Sequence, residues 1–315
     1  MTDTLTPNPH RLQRHWFYGL LLALLAALYT PLLWHWIDGW LNKSISIEHE
    51  YFSHALIGLP YAAYLTWDYR KKWHALPAVT HPAGLGLLGL GALLYLFGTG
   101  EMIGWSLPIV LTGLCLSLKG VPGLKLQAFP LLFVWFATPN AIPYLLSSST
   151  LPLQTLIAGT AGFILQVLGV PDVSVSGIYI TVQDHLVEVA PYCAGLKMLF
   201  TSLYIGGILL HWTGTWRSRP KVLSFFAGTI VISVLINILR NTILTYLYGM
   251  GHYNAFDWTH EGLGGDLISL VMLLLVIVWL DGIERITNYY QQGNGGGIIN
   301  YGGLLPGQSD RSGRS

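Results

Sequence analysis

Charge is scarce in this chain. Only 16 Lys or Arg and 15 Asp or Glu stand among 315 residues, or 10%, where a soluble domain carries about 25%. An ordinary water-soluble globule is therefore excluded. Net charge is +1 and the longest basic run is Arg70-Lys71-Lys72, which leaves no footprint for a nucleic-acid partner. Cysteine is nearly absent too, with only Cys115 and Cys193. No Cys/His metal-ligand spacing occurs, so neither a metal nor another cofactor is expected. No internal repeat is apparent. What the chain has instead is 52% hydrophobic residues, 12 Trp and 17 Tyr, the composition of a polytopic membrane protein with aromatic interfaces.

Trp16–Trp36 is an apolar run with aromatic ends, long enough to cross about 30 Å of hydrocarbon and too long for a signal-peptide core. It reads as a retained anchor. Phe52–Trp67 is the second span, followed by Arg70–Lys72. Ala83–Gly98 and Met102–Leu118 form a hairpin closed by Gly98-Thr-Gly-Glu101. Lys119 and Lys125 flank the next loop, and Gln127–Leu146 is a fifth segment that Pro139 and Pro143 bend or end. Val173–Ala190 alternates and is rich in Val and Ile, suggesting short strands with turns at Gly177 and Gln183-Asp184. Ala194–Trp212, Val222–Tyr248 and Leu263–Leu280 complete the spans.

Parity decides the polar helix Leu151–Gly169. Cationic loops belong in the cytoplasm. With Arg11 and Arg14 inside, the loops at Arg70–Lys72, Lys119–Lys125 and Arg217–Lys221 are all inside only if one apolar stretch between Lys125 and Arg217 does not cross. The most polar candidate is 151–169, with Gln154, Thr155, Thr160 and Gln166, so it lies at the outer face. The expected architecture is all-α, with eight spans in a single membrane domain (1–282), both ends cytoplasmic and a small extracytoplasmic β-like segment. All Lys and Arg except Lys43, Lys197 and Arg240 then fall inside. Residues 283–315, rich in Gly, Ser, Gln and Asn, are expected to be a disordered cytoplasmic tail.

The chemistry gathers around Val187–Phe200. A strand-like run ends at Ala190, Pro191 breaks it, and an apolar helix pattern starts near Cys193. A thiol at the positive end of a helix, with Lys197 four residues on, is expected to have a lowered pKa and nucleophilic character. Arg240 interrupts an apolar span, an insertion that costs about 2.5–3.5 kcal/mol and marks function or a buried partner such as Asp266. Asn237 shares its face and Asn241 lies near it. His260 stands just before the last span, with His54 and His252 as competing bases on the outer side. Cys, His and Arg from three distant segments make a thiol acyl-transfer site with an acid/base and an oxyanion stabiliser. Two other readings stay open: a non-enzymatic transport or polysaccharide-export scaffold with Arg240 on a polar path, and an acyltransferase using the thiol as a lipid carrier.

Three motifs occur in order: Glu188-Val-Ala-Pro-Tyr-Cys193-Ala-Gly195-Leu-Lys197, Asn237-Ile-Leu-Arg240, and His260-Glu-Gly-Leu-Gly264. With Phe52-Ser53-His54 upstream, the pattern resembles the exosortases and related archaeosortases over most of residues 45–280, and looks most like a cyanobacterial subgroup. The resemblance implies an eight-span membrane cysteine transpeptidase or protease. Its implied partners are membrane-tethered exported proteins whose C-terminal sorting signals, of the PEP-CTERM type, carry a hydrophobic helix and a basic end. It implies Cys193 as nucleophile, Arg240 as transition-state or carboxylate-binding group and His260 as acid/base, with Lys197, Asn237, Glu188 and His54 in support. The chain departs from the family pattern at Pro191 (often Glu), Ala194 (Ser) and Lys197 (Arg), which bears on the sorting signal recognised. It implies a plasma (inner) membrane protein whose site faces outward.

Overall fold

Glycine and proline set where the apolar helices turn. A computed structural model describes residues 9–42, 51–147, 149–260 and 262–293. Lys43, expected above to lie off the cytoplasmic side, is outside the described residues, as are residues 294–315 of the expected tail. Helix α1 (Pro9–Asn42) is followed by α2 (Ala55–Asp68), the short α3 (Arg70–Ala75), α4 (Pro82–Phe97) and α5 (Gly100–Ala137). Next come α6 (Ile142–Ser147), α7 (Leu151–Val167) and the strands β1 (Val173–Ser176), β2 (Tyr179–Val182) and β3 (His185–Glu188). A 3-10 turn, Pro191–Ala194, leads into α8 (Leu196–Trp212), then α9 (Arg219–Gly249), α10 (Tyr253–His260) and α11 (Leu263–Gly293). The last helix thus runs through Gly293, so the residues from 283 to 293 are helical and not tail.

Helix α5 is not one rod. Straight, its 38 residues would run about 57 Å, nearly twice a bilayer's hydrocarbon. Gly120 breaks it with φ 59° and ψ −154°, a conformation essentially closed to residues with a Cβ, and Pro122 starts the returning half. The halves fold back on each other: the Trp105 and Trp135 rings are 5.5 Å apart and Trp135 Nε1 donates to Thr112 Oγ1 at 3.4 Å. The two expected segments around Lys119 are therefore joined by a kink, not a loop. Lys119 itself is 0% exposed, its ammonium donating to the Leu76 carbonyl.

Four helices (within α1, α5, α9 and α11) are long and apolar enough to cross a membrane, and α4, α7 and α8 are shorter apolar helices. Contacts sort their ends. Tyr61 and Tyr69 both bond His211, at 2.8 and 3.2 Å, and the Phe129 ring packs tilted against His211 and Trp216. Thr215 Oγ1 donates to Glu284 at 2.7 Å. These contacts bring Arg70–Lys72, Lys119, Lys125, Arg217–Lys221 and Arg285 to one end of the bundle. Cys193, the sheet and the C-terminal end of α9 lie at the other.

The sheet has the order β1-β2-β3, antiparallel, with Ser176 opposite Tyr179 and Val182 opposite His185. Its two-residue turns, Gly177-Ile178 and Gln183-Asp184, open with φ 62° and 53°, as tight hairpin loops require. Both expected turns are where the alternation placed them. Ile180 and Val182 bury completely against Ile157, Ala158, Ala161 and Leu165 of α7, and Ile238 of α9 closes this core. Gly249 lets the end of α9 meet Val182, since a Cβ there would lie 2.5 Å from the Val182 Cβ. The outward face of α7 (Leu156, Phe163, Val167) is exposed and apolar.

Candidate active site

The site is assembled by the turn that follows β3. Pro191 begins it, and the Ala190 carbonyl accepts both the Cys193 N–H (2.8 Å) and the Ala194 N–H (3.0 Å). Gly195 then turns left-handed, φ 82°, and α8 starts one residue later. Cys193 therefore precedes the helix instead of sitting in its first turn, and the expected same-face relation to Lys197 is lost. Lys197 lies half-buried in the first turn of α8.

Helix α9 holds that turn from behind. Asn237 Nδ2 and Asn241 Nδ2 each donate to the Cys193 carbonyl at 3.0 Å, and Asn241 Nδ2 also reaches the Asn237 carbonyl at 2.9 Å. Asn237 is 1% exposed. The Gly195 backbone comes so close that a Cβ there would lie 2.6 Å from Asn237 Cγ. Asn241 and Gly195 are the contributors that sequence reasoning underweighted. The signal was an asparagine repeated at i+4, which on a helix puts both amides on one face.

Across the turn, Cys193 Sγ and His260 Nε2 are 4.0 Å apart. His260 is the last residue of α10, its ring stacked on Phe256 with centroids at 5.3 Å and planes 7° apart. Arg240 Nη2 donates to the His260 carbonyl at 3.4 Å, and its charge acts directly on the thiol. Arg240 does not pair with Asp266. Thiol, imidazole and guanidinium, predicted from segments far apart in the chain, thus meet at one place.

The thiol lies outside the spanning helices, and its pKa moves opposite to expectation. Burial pushes it up; Arg240 and the Ala190 backbone pull it down, and the Glu188 carboxylate at the end of β3 pushes it up again. The lowered value expected from a helix terminus is overturned because Cys193 is 8% exposed and is not in the helix proper. Burial thus favours the neutral thiol.

The competing histidines sit elsewhere. His252 is exposed ahead of α10, its carbonyl capping Phe256 N. His54 is buried, bonded to the Phe136 carbonyl at 3.3 Å and packed tilted against Tyr204 at 4.3 Å, about two turns along α8 from Cys193's end. It lines an aromatic cavity of about 580 Å³ with Trp105, Trp135 and Phe200, apart from the thiol.

A helical membrane bundle with a thiol, an imidazole and a guanidinium at one end defines a class, that of membrane proteins with a cysteine-centred site. Residues 40–277 match the family model of transmembrane exosortases, and the chain belongs to that family. No curated protein and no solved structure matches it. Membership implies, in general terms, a membrane cysteine peptidase or transpeptidase.

Proposed function

We propose that this exosortase cleaves C-terminal sorting tails of exported, membrane-tethered proteins at the outer face of the inner membrane, and passes the acyl group to water or to another nucleophile. The observation that carries the reading is the 4.0 Å approach of Cys193 Sγ and His260 Nε2 with Arg240 beside them. That distance is loose, as catalytic contacts often are before substrate binds.

Each step follows from the residues in place. With Nδ1 protonated, His260 Nε2 carries a lone pair and takes the thiol proton as sulfur bonds to the scissile carbonyl carbon. The buried thiol makes this transfer necessary, since little thiolate stands ready. The carbonyl electrons move to oxygen. Arg240 spends one donor on the His260 carbonyl and has others to hold the oxyanion. The oxyanion collapses, the C–N bond breaks, and His260 gives its proton to the leaving amine. A thioester remains. The second nucleophile loses its proton to His260 as it attacks the thioester carbonyl; the C–S bond then breaks and His260 returns the proton to sulfur, restoring the thiol.

The proposed topology has eight crossings. α7 lies at the outer surface with its apolar face to lipid, and the cationic end of the bundle is cytoplasmic. A Leu168→Cys variant should label with an impermeant maleimide in intact cells. The functional test compares protein C-termini in cells carrying the wild-type chain or Cys193→Ala. Tails with an apolar helix and basic end should persist uncut in the variant. Identical tails in both strains, with both proteins present at equal level, would return the chain to the scaffold reading.

A further inference from the structure

The thiol and the imidazole hang from different elements, and one hydrogen bond joins those elements. Cys193 inherits its place from β3. The Val189 N–H donates to the Ile178 carbonyl at 2.9 Å, continuing the ladder, and Gln154 Nε2 holds the Val189 carbonyl at 2.8 Å. Only Ala190 and the start of the 3-10 turn then separate that anchored point from the thiol. His260 inherits its place from α10, at the opposite end of the helix from Tyr253. At the far end of β3, His185 Nε2 and the Tyr253 hydroxyl are 2.9 Å apart.

A column of rings runs from this bond to the site. His185 meets Tyr248 edge-on at 5.7 Å, and Tyr248 packs on Tyr253 at 5.5 Å and on Phe256 at 5.2 Å. Phe256 lies parallel under His260. Tyr248 belongs to α9, two turns beyond Arg240, so all three elements that supply the site meet in the column. Residues spaced by four on a helix share a face, which is why Phe256 underlies His260 and shares its orientation.

We infer that His185, Tyr253 and Phe256 are positioning residues: the His185–Tyr253 bond sets the distance between Cys193 and His260, and the Phe256 ring sets the imidazole plane. None of them reaches the reacting atoms. The inference rests on the Cys–His reading proposed above. A misplacement of 1 Å costs on the order of 10²-fold in an aligned transfer, and a flexible link costs less than full loss of the base.

The test uses the full chain purified in detergent, in a Cys115→Ala background so that one thiol reports. The rate of Cys193 alkylation by iodoacetamide is followed against pH. Among the described residues, Arg240 and Glu188 act on the thiol and His185 bonds Tyr253; these three and Cys193 are unchanged in every variant, and the reference His260→Ala removes only the base. In the wild type a limb assisted by His260 should appear below the thiol's own titration, and His260→Ala should abolish it. Tyr253→Phe and Phe256→Leu should lower that limb by roughly tenfold with the melting midpoint unmoved, while Phe256→Tyr, which keeps the stack, should restore it. If His260→Ala removes the limb but Tyr253→Phe and Phe256→Leu retain it, the positioning role is wrong and the Cys–His pair stands. If His260→Ala changes nothing, the Cys–His pair itself fails. Should Tyr253→Phe also lower the midpoint, the Phe256→Leu and Phe256→Tyr pair decides the outcome.

Discussion

Gly195→Ala is the sharpest single perturbation of this site, because two separate constraints meet at one Cα. The residue has φ 82°, where an L residue pays about 1–2 kcal/mol. The added methyl would also sit 2.6 Å from Asn237 Cγ, 2.8 Å from its Nδ2 and 3.0 Å from its Cβ. Asn237 is held inside α9 and cannot swing aside without releasing the Cys193 carbonyl. Overpacking of this kind costs about 1–3 kcal/mol, and a buried amide bond lost without replacement about 1–3 kcal/mol. The expected destabilisation is about 3–8 kcal/mol if the contributions add. Gly251 is the internal control. It has φ 74° but nothing within 4 Å of a Cβ, so Gly251→Ala should cost only the backbone part, about 1–2 kcal/mol. The assay pairs melting in detergent with Cys193 alkylation. Gly195→Ala should fall well below Gly251→Ala in midpoint and should change thiol reactivity, which Gly251→Ala leaves alone. Equal midpoints for the two variants would refute the claim that Asn237 packs against this turn.

Three further outcomes follow from the same contacts. Asn241→Leu keeps bulk but removes one of two donors to the Cys193 carbonyl; a loss of about 1 kcal/mol in unfolding experiments is expected, with slower Cys193-dependent tail processing. Gly120→Ala closes the conformation that folds α5 back on itself; the protein should lose its Trp105–Trp135 contact, read as a change in near-ultraviolet circular dichroism, and assemble poorly in the membrane. For the pH dependence, the raised thiol pKa has a definite sign. In a His260→Ala chain, Cys193 alkylation should rise with pH and have its midpoint above the ordinary thiol value near 8.5. Arg240→Gln should move that midpoint further upward, because it removes the positive charge that favours the thiolate; a downward shift would contradict the assigned contact.

The buried polar residues divide between the two ends of the bundle. Lys119 and the Tyr61–His211–Tyr69 trio tie helices together at the cationic end, where each donor meets a carbonyl, ring nitrogen or hydroxyl. At the site end, Asn237 and Asn241 hold the Cys193 carbonyl, Gln154 holds the Val189 carbonyl, and Arg240 acts on the thiol.

Much of the fold was determined by local chemistry. Apolar runs long enough to bury their own backbone in lipid must be helices, because each peptide group has to find its partner within the segment. The alternation Val173–Ala190 with Gly177 and Gln183-Asp184 suggested short strands, and the paired strands found follow it, because period-two burial and positive-φ turns are properties of neighbouring residues. Cys193 and Arg240 stood out for the same kind of reason, a reactive or charged side chain in or beside an apolar pattern, whereas His260 stood beside His54 and His252 as competing bases. What the sequence could not carry was anything set by residues far apart. Whether His54, His252 or His260 faces the thiol depends on where α10 lands against β3, and no local spacing encodes that distance. The direction of the thiol pKa was missed for the same reason, since burial by α9 outweighs the nearby helix terminus. The loop expected at Lys119 is a kink because one glycine, packed by residues from elsewhere, turns a helix back on itself. Local pattern chose the elements and the reactive residues, and only packing between distant segments chose which of them meet.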